Sequence, residues 1–224
     1  VIYGVDVSSY QPEQFPLNLP SNGKPVDFVI IKATEGTGYV NPKLDAQLRW
    51  ARDHGLSVGF YHFARPGGQL PAADHFLAEI GSILQPGDHL WLDWEDAGVT
   101  NADKDWWLWY VKQQTGGLHR VGLYCNFHFW KNLDTTDNAG DALWIAQYGV
   151  GPGDPSIEHP WTIHQYTDSD GIDQNAAGFA SRDAMKLWAN PVPEGETPVT
   201  ADTVMAAVLR INAKLDELIR RIGS

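Results

Sequence analysis

The residues best suited to chemistry stand in one short run, Leu90-Trp91-Leu92-Asp93-Trp94-Glu95. An acid inside so apolar a stretch is costly to bury unless it is paired or protonated. Asp93 and Glu95 are two apart, so on a strand their side chains share a face. Two close carboxylates resist double ionisation, and the flanking Trp91 and Trp94 limit hydration. Both effects raise one pKa, as a general acid working near neutrality requires. Glu reaches one methylene further than Asp, so Glu95 is expected to donate the proton to a leaving oxygen, with Asp93 assisting. A solvated acidic strand end and a metal site are the alternatives for such a pair. The eight His are dispersed without ligand-like spacing and no His-Glu-x-x-His run occurs, so no metal and no cofactor is expected.

The elements that must position these acids are legible as a series of short β-branched or aromatic runs at 1–7, 28–33, 57–63, 89–94, 121–126, 143–148, 161–166 and near 171–173. Helical patterns lie between the early ones. Residues 42–54 place Leu44, Leu48 and Ala51 at helical spacing and stop before Gly55, and 71–84 do the same with Ala72, Phe76, Ile80 and Ile83. Residues 100–115 open on Thr100-Asn101-Ala102-Asp103, an N-cap pattern, and end before Gly116-Gly117. Strands alternating with helices predict β/α units around a mainly parallel sheet, and eight strands within residues 1–188 favour a closed barrel. The runs beginning at 143, 161 and 171 are barely a loop apart. The barrel is therefore expected to be irregular, with helices on the first five units and loops between the last three.

In such a barrel the working side chains gather at the carboxyl ends of the strands. Asp6 closes the first run, Glu35 follows the second, Asp93 and Glu95 close the fourth, and Asp173 sits at the eighth. Four acids (Asp6, Asp93, Glu95 and Asp173) converging on one mouth are hard to explain as solvated surface.

The bulk composition narrows the partners. A formal net charge of −12 argues against a nucleic acid held through its phosphates and against an anionic membrane surface. No stretch approaches the roughly 20 apolar residues that span a bilayer, so no membrane insertion is expected. Ten Trp suit a large core and also the stacking of sugar rings. Cys125, the only cysteine, lies in the apolar run 121–125 and is expected to be a buried, inert thiol. The chain opens directly on a strand-like run, so an export leader was removed or is not used.

Seven motifs follow one another in order: Gly4-Val5-Asp6-Val7-Ser8-Ser9-Tyr10-Gln11, Ile30-Ile31-Lys32-Ala33-Thr34-Glu35-Gly36, Gly59-Phe60-Tyr61-His62-Phe63, Leu92-Asp93-Trp94-Glu95, Leu143-Trp144-Ile145-Ala146-Gln147-Tyr148, His164-Gln165-Tyr166 and Gly171-Ile172-Asp173-Gln174-Asn175. Together they resemble the glycoside hydrolase family 25 lysozymes of the Chalaropsis type, found among phage endolysins and secreted bacterial and fungal muramidases. The resemblance implies an irregular TIM-like (β/α)5β3 barrel. It also implies hydrolysis of the β-1,4 bond between N-acetylmuramic acid and N-acetylglucosamine in bacterial peptidoglycan. Glu95 matches the family's acid/base and Asp93 its partner, while Asp6 and Asp173 match two further acids of the cleft. Tyr61, Lys32, Trp144 and Gln165 match positions that orient the saccharide, and Glu35 and Tyr124 are counted with them. Such an enzyme acts on the bacterial cell wall, either secreted or phage-encoded and released from the host cytoplasm.

Two carboxyls at i and i+2 do not simply flank a scissile bond. The substrate's own 2-acetamido oxygen is therefore the expected nucleophile, with Asp93 polarising it; Asp173 or Asp6 as base or nucleophile is the competing scheme. Two other functions share parts of the pattern. A non-catalytic carbohydrate-binding barrel would have lost the strand-end acids, and none is missing. A chitin-directed glycosidase would share the acid pair but release N-acetylglucosamine oligomers from chitin.

Residues 189–199, rich in Pro, Gly and Glu, read as a linker, and 200–224 as an amphipathic helix. Val204, Val208, Ile211, Leu215, Leu218 and Ile222 follow the alternating spacing of heptad a and d positions. This stripe could pack on its own barrel or begin a wall-binding module, but self-association into a homo-oligomer is the expectation. Light scattering should then give a multiple of the single-chain mass for the full chain and one chain for a version ending at residue 198. Single-chain mass for both excludes the coiled coil.

Overall fold

A computed structural model describes residues 1–191. The expected linker from residue 192 on and the expected helix over 200–224 lie outside the described residues. In chain order the elements are β1 (Ile2–Val7), β2 (Phe28–Glu35), β3 (Tyr39–Val40), α1 (Leu44–Asp53), β4 (Ser57–Phe63), α2 (Gln69–Ile80), β5 (His89–Asp93), α3 (Asn101–Gln114), β6 (Val121–Asn126), β7 (Leu143–Ala146), β8 (Ile163–Thr167), β9 (Asp173–Ala177) and α4 (Arg182–Trp188). Strands β1, β2, β4, β5, β6, β7 and β8 are parallel, and β9 closes the ring antiparallel between β8 and β1. The two-residue β3 only extends the end of β2. This is the irregular TIM-like barrel expected.

The strands are nearly continuous apolar runs because both faces are covered. Alternation sorts their side chains. In β5, Leu90 and Leu92 belong to the layer between barrel and helices, while Trp91 joins Tyr61, Tyr124, Trp144, Phe28 and Ile30 inside the barrel. The Tyr124 and Trp144 rings lie 4.3 Å apart and Trp91 stands edge-on to Trp144 at 5.7 Å. Glycine makes room for these rings. A Cβ on Gly122 would fall 2.4 Å from the Trp91 ring, and one on Gly59 would fall 2.3 Å from His89. The lower barrel is thus filled by these rings and the buried His89, which leaves the carboxyls to its upper layer.

Helices occupy the second, third and fourth crossovers, within a few residues of where their periodicity places them. Thr100 caps α3 through a complete capping box with Asp103. The first crossover differs from expectation. Residues 8–27 form no helix, and Pro12, Pro16, Pro20 and Pro25 account for this by removing donors and clashing with helical turns. The fifth is reduced to a π-helical turn, Phe129–Leu133, whose first N–H is received by Asn126 Oδ1 at 3.0 Å. Helix α4, capped by Ser181, was not anticipated; its Met185 and Trp188 cover the floor of the barrel with Phe179. The compact unit runs from Val1 to Pro191. Among the described residues no helix is long and apolar enough to cross a membrane. Cys125 is buried, and burial pushes its thiol well up, as an inert structural cysteine should be.

One buried cation ties α3 to the segment after β6. Lys104 is fully buried, and its Nζ donates to Thr136 Oγ1 at 3.0 Å and to the Asn138 carbonyl at 2.7 Å while pairing with Asp134 at 2.8 Å. The Asp134 side chain is only 3% exposed, so removing the lysine strands a buried carboxylate. Lys104→Met is expected to cost about 3–5 kcal/mol, read as a lower urea midpoint at unchanged m-value. A loss below about 1 kcal/mol would place this pair with weak surface bridges.

Candidate active site

Closing the barrel brings the strand ends to one mouth. Asp6 from β1, Lys32 from β2, Tyr61 from β4, Asp93 from β5, Tyr124 from β6, Trp144 from β7, Gln165 from β8 and Asp173 from β9 line one cleft of about 200 Å³, together with Glu95. Asp173 is the first residue of its strand, and it reaches the mouth because β9 runs antiparallel. Strand β5 ends at Asp93, yet the Trp94 N–H still bonds the Tyr124 carbonyl at 2.9 Å, so Glu95 follows an extended chain to the same cleft. Glu35 takes a different place. It does not line the cleft but sits at the rim, where Lys32 Nζ approaches to 2.5 Å and Arg65 to 2.8 Å.

The carboxyls differ by their surroundings. Asp93 is 5% exposed and its Oδ1 has no hydrogen-bond partner. Burial pushes its pKa well above the ordinary carboxylate range, and Glu95 adds to the rise against the opposing charge of Lys32. Glu95 is also raised, first by burial and then by Asp173, while hydrogen bonds with Asn126 and Tyr124 restrain the shift. Burial and Asp173 raise Asp6 strongly, and burial raises Asp173 as well, so the two neighbouring carboxyls resist double ionisation. At Glu35 burial would raise the pKa, but its bonds to Lys32 and Arg65 outweigh that and lower it. Glu35 is thus a fixed anion that engages Lys32, whose ammonium also lies 4.8 Å over the Phe63 ring.

A polar network beneath the acids orients them. Gln165 Nε2 donates to Asp6 Oδ2 at 3.0 Å, and Asn175 Nδ2 donates to the same oxygen at 2.7 Å. The Tyr148 hydroxyl donates to Gln165 Oε1 at 2.8 Å, the Tyr124 hydroxyl stands 3.1 Å from the same oxygen with its one proton within reach of either Gln165 or Glu95, and Trp144 Nε1 donates to Asn175 Oδ1 at 2.8 Å. Neither amide can flip without breaking this chain of donors. Asn175, Tyr148 and Asn126 were not among the residues singled out. The signal for Asn175 was available: it stands two after Asp173 on one strand and so shares its face. Such a site holds several carboxyls in poor contact with water, all with raised pKa values, which is the equipment of general acid catalysis.

The sequence matches the family model of glycosyl hydrolases family 25 over residues 5–174. The chain belongs to this family. It is therefore a glycoside hydrolase. It is similar to the N,O-diacetylmuramidase of Chalaropsis sp, at 35% identity over 197 residues that cover 75% of this chain and 89% of that protein. Lysozyme M1 of Streptomyces globisporus is 28% identical over 183 residues, which are 74% of this chain but 62% of that longer protein. The fold matches that of a family GH25 lysozyme from Aspergillus fumigatus with a TM-score of 0.68 and 23% identity, over 84% of this chain and 99% of that one.

The buried acids carry a stability consequence with a definite sign. Asp93 has a folded pKa above its unfolded value, so the folded state binds more protons between about pH 4 and the raised value, and stability is lost as pH rises through that window. Asp93→Asn removes this cost. Its unfolding midpoint is expected to exceed the parent's at pH 7, and the advantage should close as the pH falls toward about 4. Thermal unfolding across pH measures this, and an unchanged or lower midpoint at pH 7 contradicts it.

Proposed function

We propose that the chain is a β-1,4-N-acetylmuramidase, a lysozyme that hydrolyses the N-acetylmuramic acid–N-acetylglucosamine bond of bacterial peptidoglycan. The observation that carries this is Asp93, a cleft-lining, largely buried carboxyl that receives no hydrogen bond from another side chain among the described residues, beside Glu95 above a floor of aromatic rings. A buried polar atom left unpaired is destabilising, and a donor brought by the substrate removes that penalty. The N–H of a 2-acetamido group is such a donor. The similar proteins, an N,O-diacetylmuramidase and lysozyme M1, point the same way.

In this scheme Glu95, protonated in the free enzyme, gives its proton to the bridging oxygen as the acetamide oxygen attacks the anomeric carbon. The sugar–oxygen bond breaks and a cyclic oxazolinium forms. Asp93, ionised throughout and accepting from the acetamide nitrogen, faces the positive charge that develops there. Glu95, now a carboxylate, takes a proton from the water that opens the ring, which restores the starting state. Asp6 and Asp173 share one proton on the opposite wall and so present a single negative charge to the cation. Tyr61, Trp144 and Gln165 shape and orient the site. Lys32 stands between Asp93 and Glu35 and limits the negative charge of the mouth. The place of action is the bacterial cell wall.

Glu95→Gln should fold and bind saccharide like the parent while release of reducing ends from purified peptidoglycan falls by roughly 10²–10⁴. Parent-like release would overturn the assignment of Glu95. Replacing the 2-acetamido group of a soluble substrate by hydroxyl should abolish turnover, and brisk hydrolysis would transfer the nucleophile's role to a protein carboxylate. Release of N-acetylglucosamine oligomers from chitin would redirect the substrate assignment.

A further inference from the structure

Strand β8 grips the segment between β7 and β8 from two sides. Successive side chains on a strand point to opposite faces. His164 faces away from the cleft and Gln165 faces into it. The outer grip is the imidazole: its Nδ1 accepts the Gly153 N–H at 3.0 Å and its Nε2 donates to the Gln147 carbonyl at 2.9 Å. These two partners demand one neutral tautomer. The ring has no exposed surface and is flanked edge-on by Trp161 and Tyr166 at 6.3 and 6.2 Å. The inner grip is the Tyr148 hydroxyl, which donates to Gln165 Oε1 at 2.8 Å. Gly153 lies at φ +78°, a left-handed turn that brings its N–H round to the ring and that other residues adopt with strain. Residues 147–162 contain no helix or strand, so these bonds, with Ser156 N–H on Gln147 Oε1 at 2.6 Å, fix where Tyr148 stands.

The place of Tyr148 matters because a second cavity, of about 450 Å³, opens beside the acid cleft. Tyr148, Phe127, His128 and Gln147 are among its walls, and it shares Glu95 and Tyr124 with the first cleft. Glu95 therefore stands at the junction of two spaces. If it protonates the bridging oxygen, that oxygen lies at the junction too. The ring under attack then lies over Asp93, and the departing sugar lies on the Tyr148 side. Tyr148 is 48% exposed, so its ring is free to take the apolar face of a saccharide.

We propose that His164 is a positioning residue: it latches the β7–β8 segment so that the Tyr148 ring forms the wall against which the departing sugar packs. The proposal rests on the muramidase function above for the identity of that sugar, and not for the latch itself. His164 touches no substrate; it acts through Tyr148.

A thermodynamic cycle on soluble peptidoglycan glycan strands tests it. His164→Ala and Tyr148→Ala are each expected to show their main loss in KM, which should rise about tenfold, the mark of lost binding common to ground and transition states. The double variant should be no worse than either single one, because the histidine has nothing left to position. Additive effects, or a fall confined to kcat, overturn the proposal. Hydrogen exchange gives a readout independent of substrate: His164→Ala should lose protection around Gly153 while β8 keeps its own, and retained protection there overturns the latch. If His164→Ala does not fold, His164→Gln, whose amide reaches the Nε2 position but leaves the Gly153 N–H without its acceptor, takes its place in both measurements. A parent enzyme that releases no reducing ends refutes the muramidase function and leaves the exchange result to decide the latch.

Discussion

Everything at the mouth of this barrel depends on the exclusion of water from beneath it. Trp91, Trp144, Tyr124 and Tyr61 fill the interior so completely that the last inward layer of each strand rests on aromatic rings. A carboxyl placed on that layer loses hydration on one side and keeps only the partners the protein supplies. The raised pKa values of Asp6, Asp93 and Glu95 all have this as their leading cause, with mutual repulsion added to it. Gly59 and Gly122 belong to the same arrangement, since a methyl group at either would collide with the rings that make the floor dry.

The polar network sorts acids that burial alone would make alike. Asp6 accepts from two amides and is coupled to Asp173, so its hydrogen-bonding capacity is largely used within the protein. Asp93 has one oxygen with nothing to bond, and Glu95 is the more hydrated of the two on its side of the cleft. The first pair is a finished structural unit, whereas the second is complete only with something bound. Stability and chemistry oppose each other most directly at Asp93, where the folded protein tolerates a group it would be better without.

Much of this was legible in the sequence, and the reasons are specific. Asp93 and Glu95 announce themselves because an acid in a Trp-rich apolar run has few innocent explanations. Strand alternation then carries Asp6, Lys32, Tyr61 and Gln165 to the same mouth. Helix periodicity located α1, α2 and α3, but the proline-spaced first crossover and the short α4 have no period to detect. Glu35 stands at the rim rather than in the cleft, a difference its strand-end position could not reveal because the cleft residues share it. Its partner Arg65 lies 30 residues away and only the folded chain brings them together. His164 was passed over for a similar reason. Its two bonds go to backbone atoms of an irregular segment, and backbone partners leave no mark in a residue pattern.

The reversed direction of β9 has a geometric consequence. A ninth strand parallel to the rest would deliver the chain to the mouth, beside the acids. Running the other way, it begins at the mouth with Asp173 and descends to Ala177, which pairs with Ile2 at the start of β1. The barrel's first strand and its last therefore meet on the floor, where α4 also lies against His89 through Trp188. A molecule built this way has a working pole at its mouth and a closed pole at its floor, so a polymer can meet the acids from one side alone.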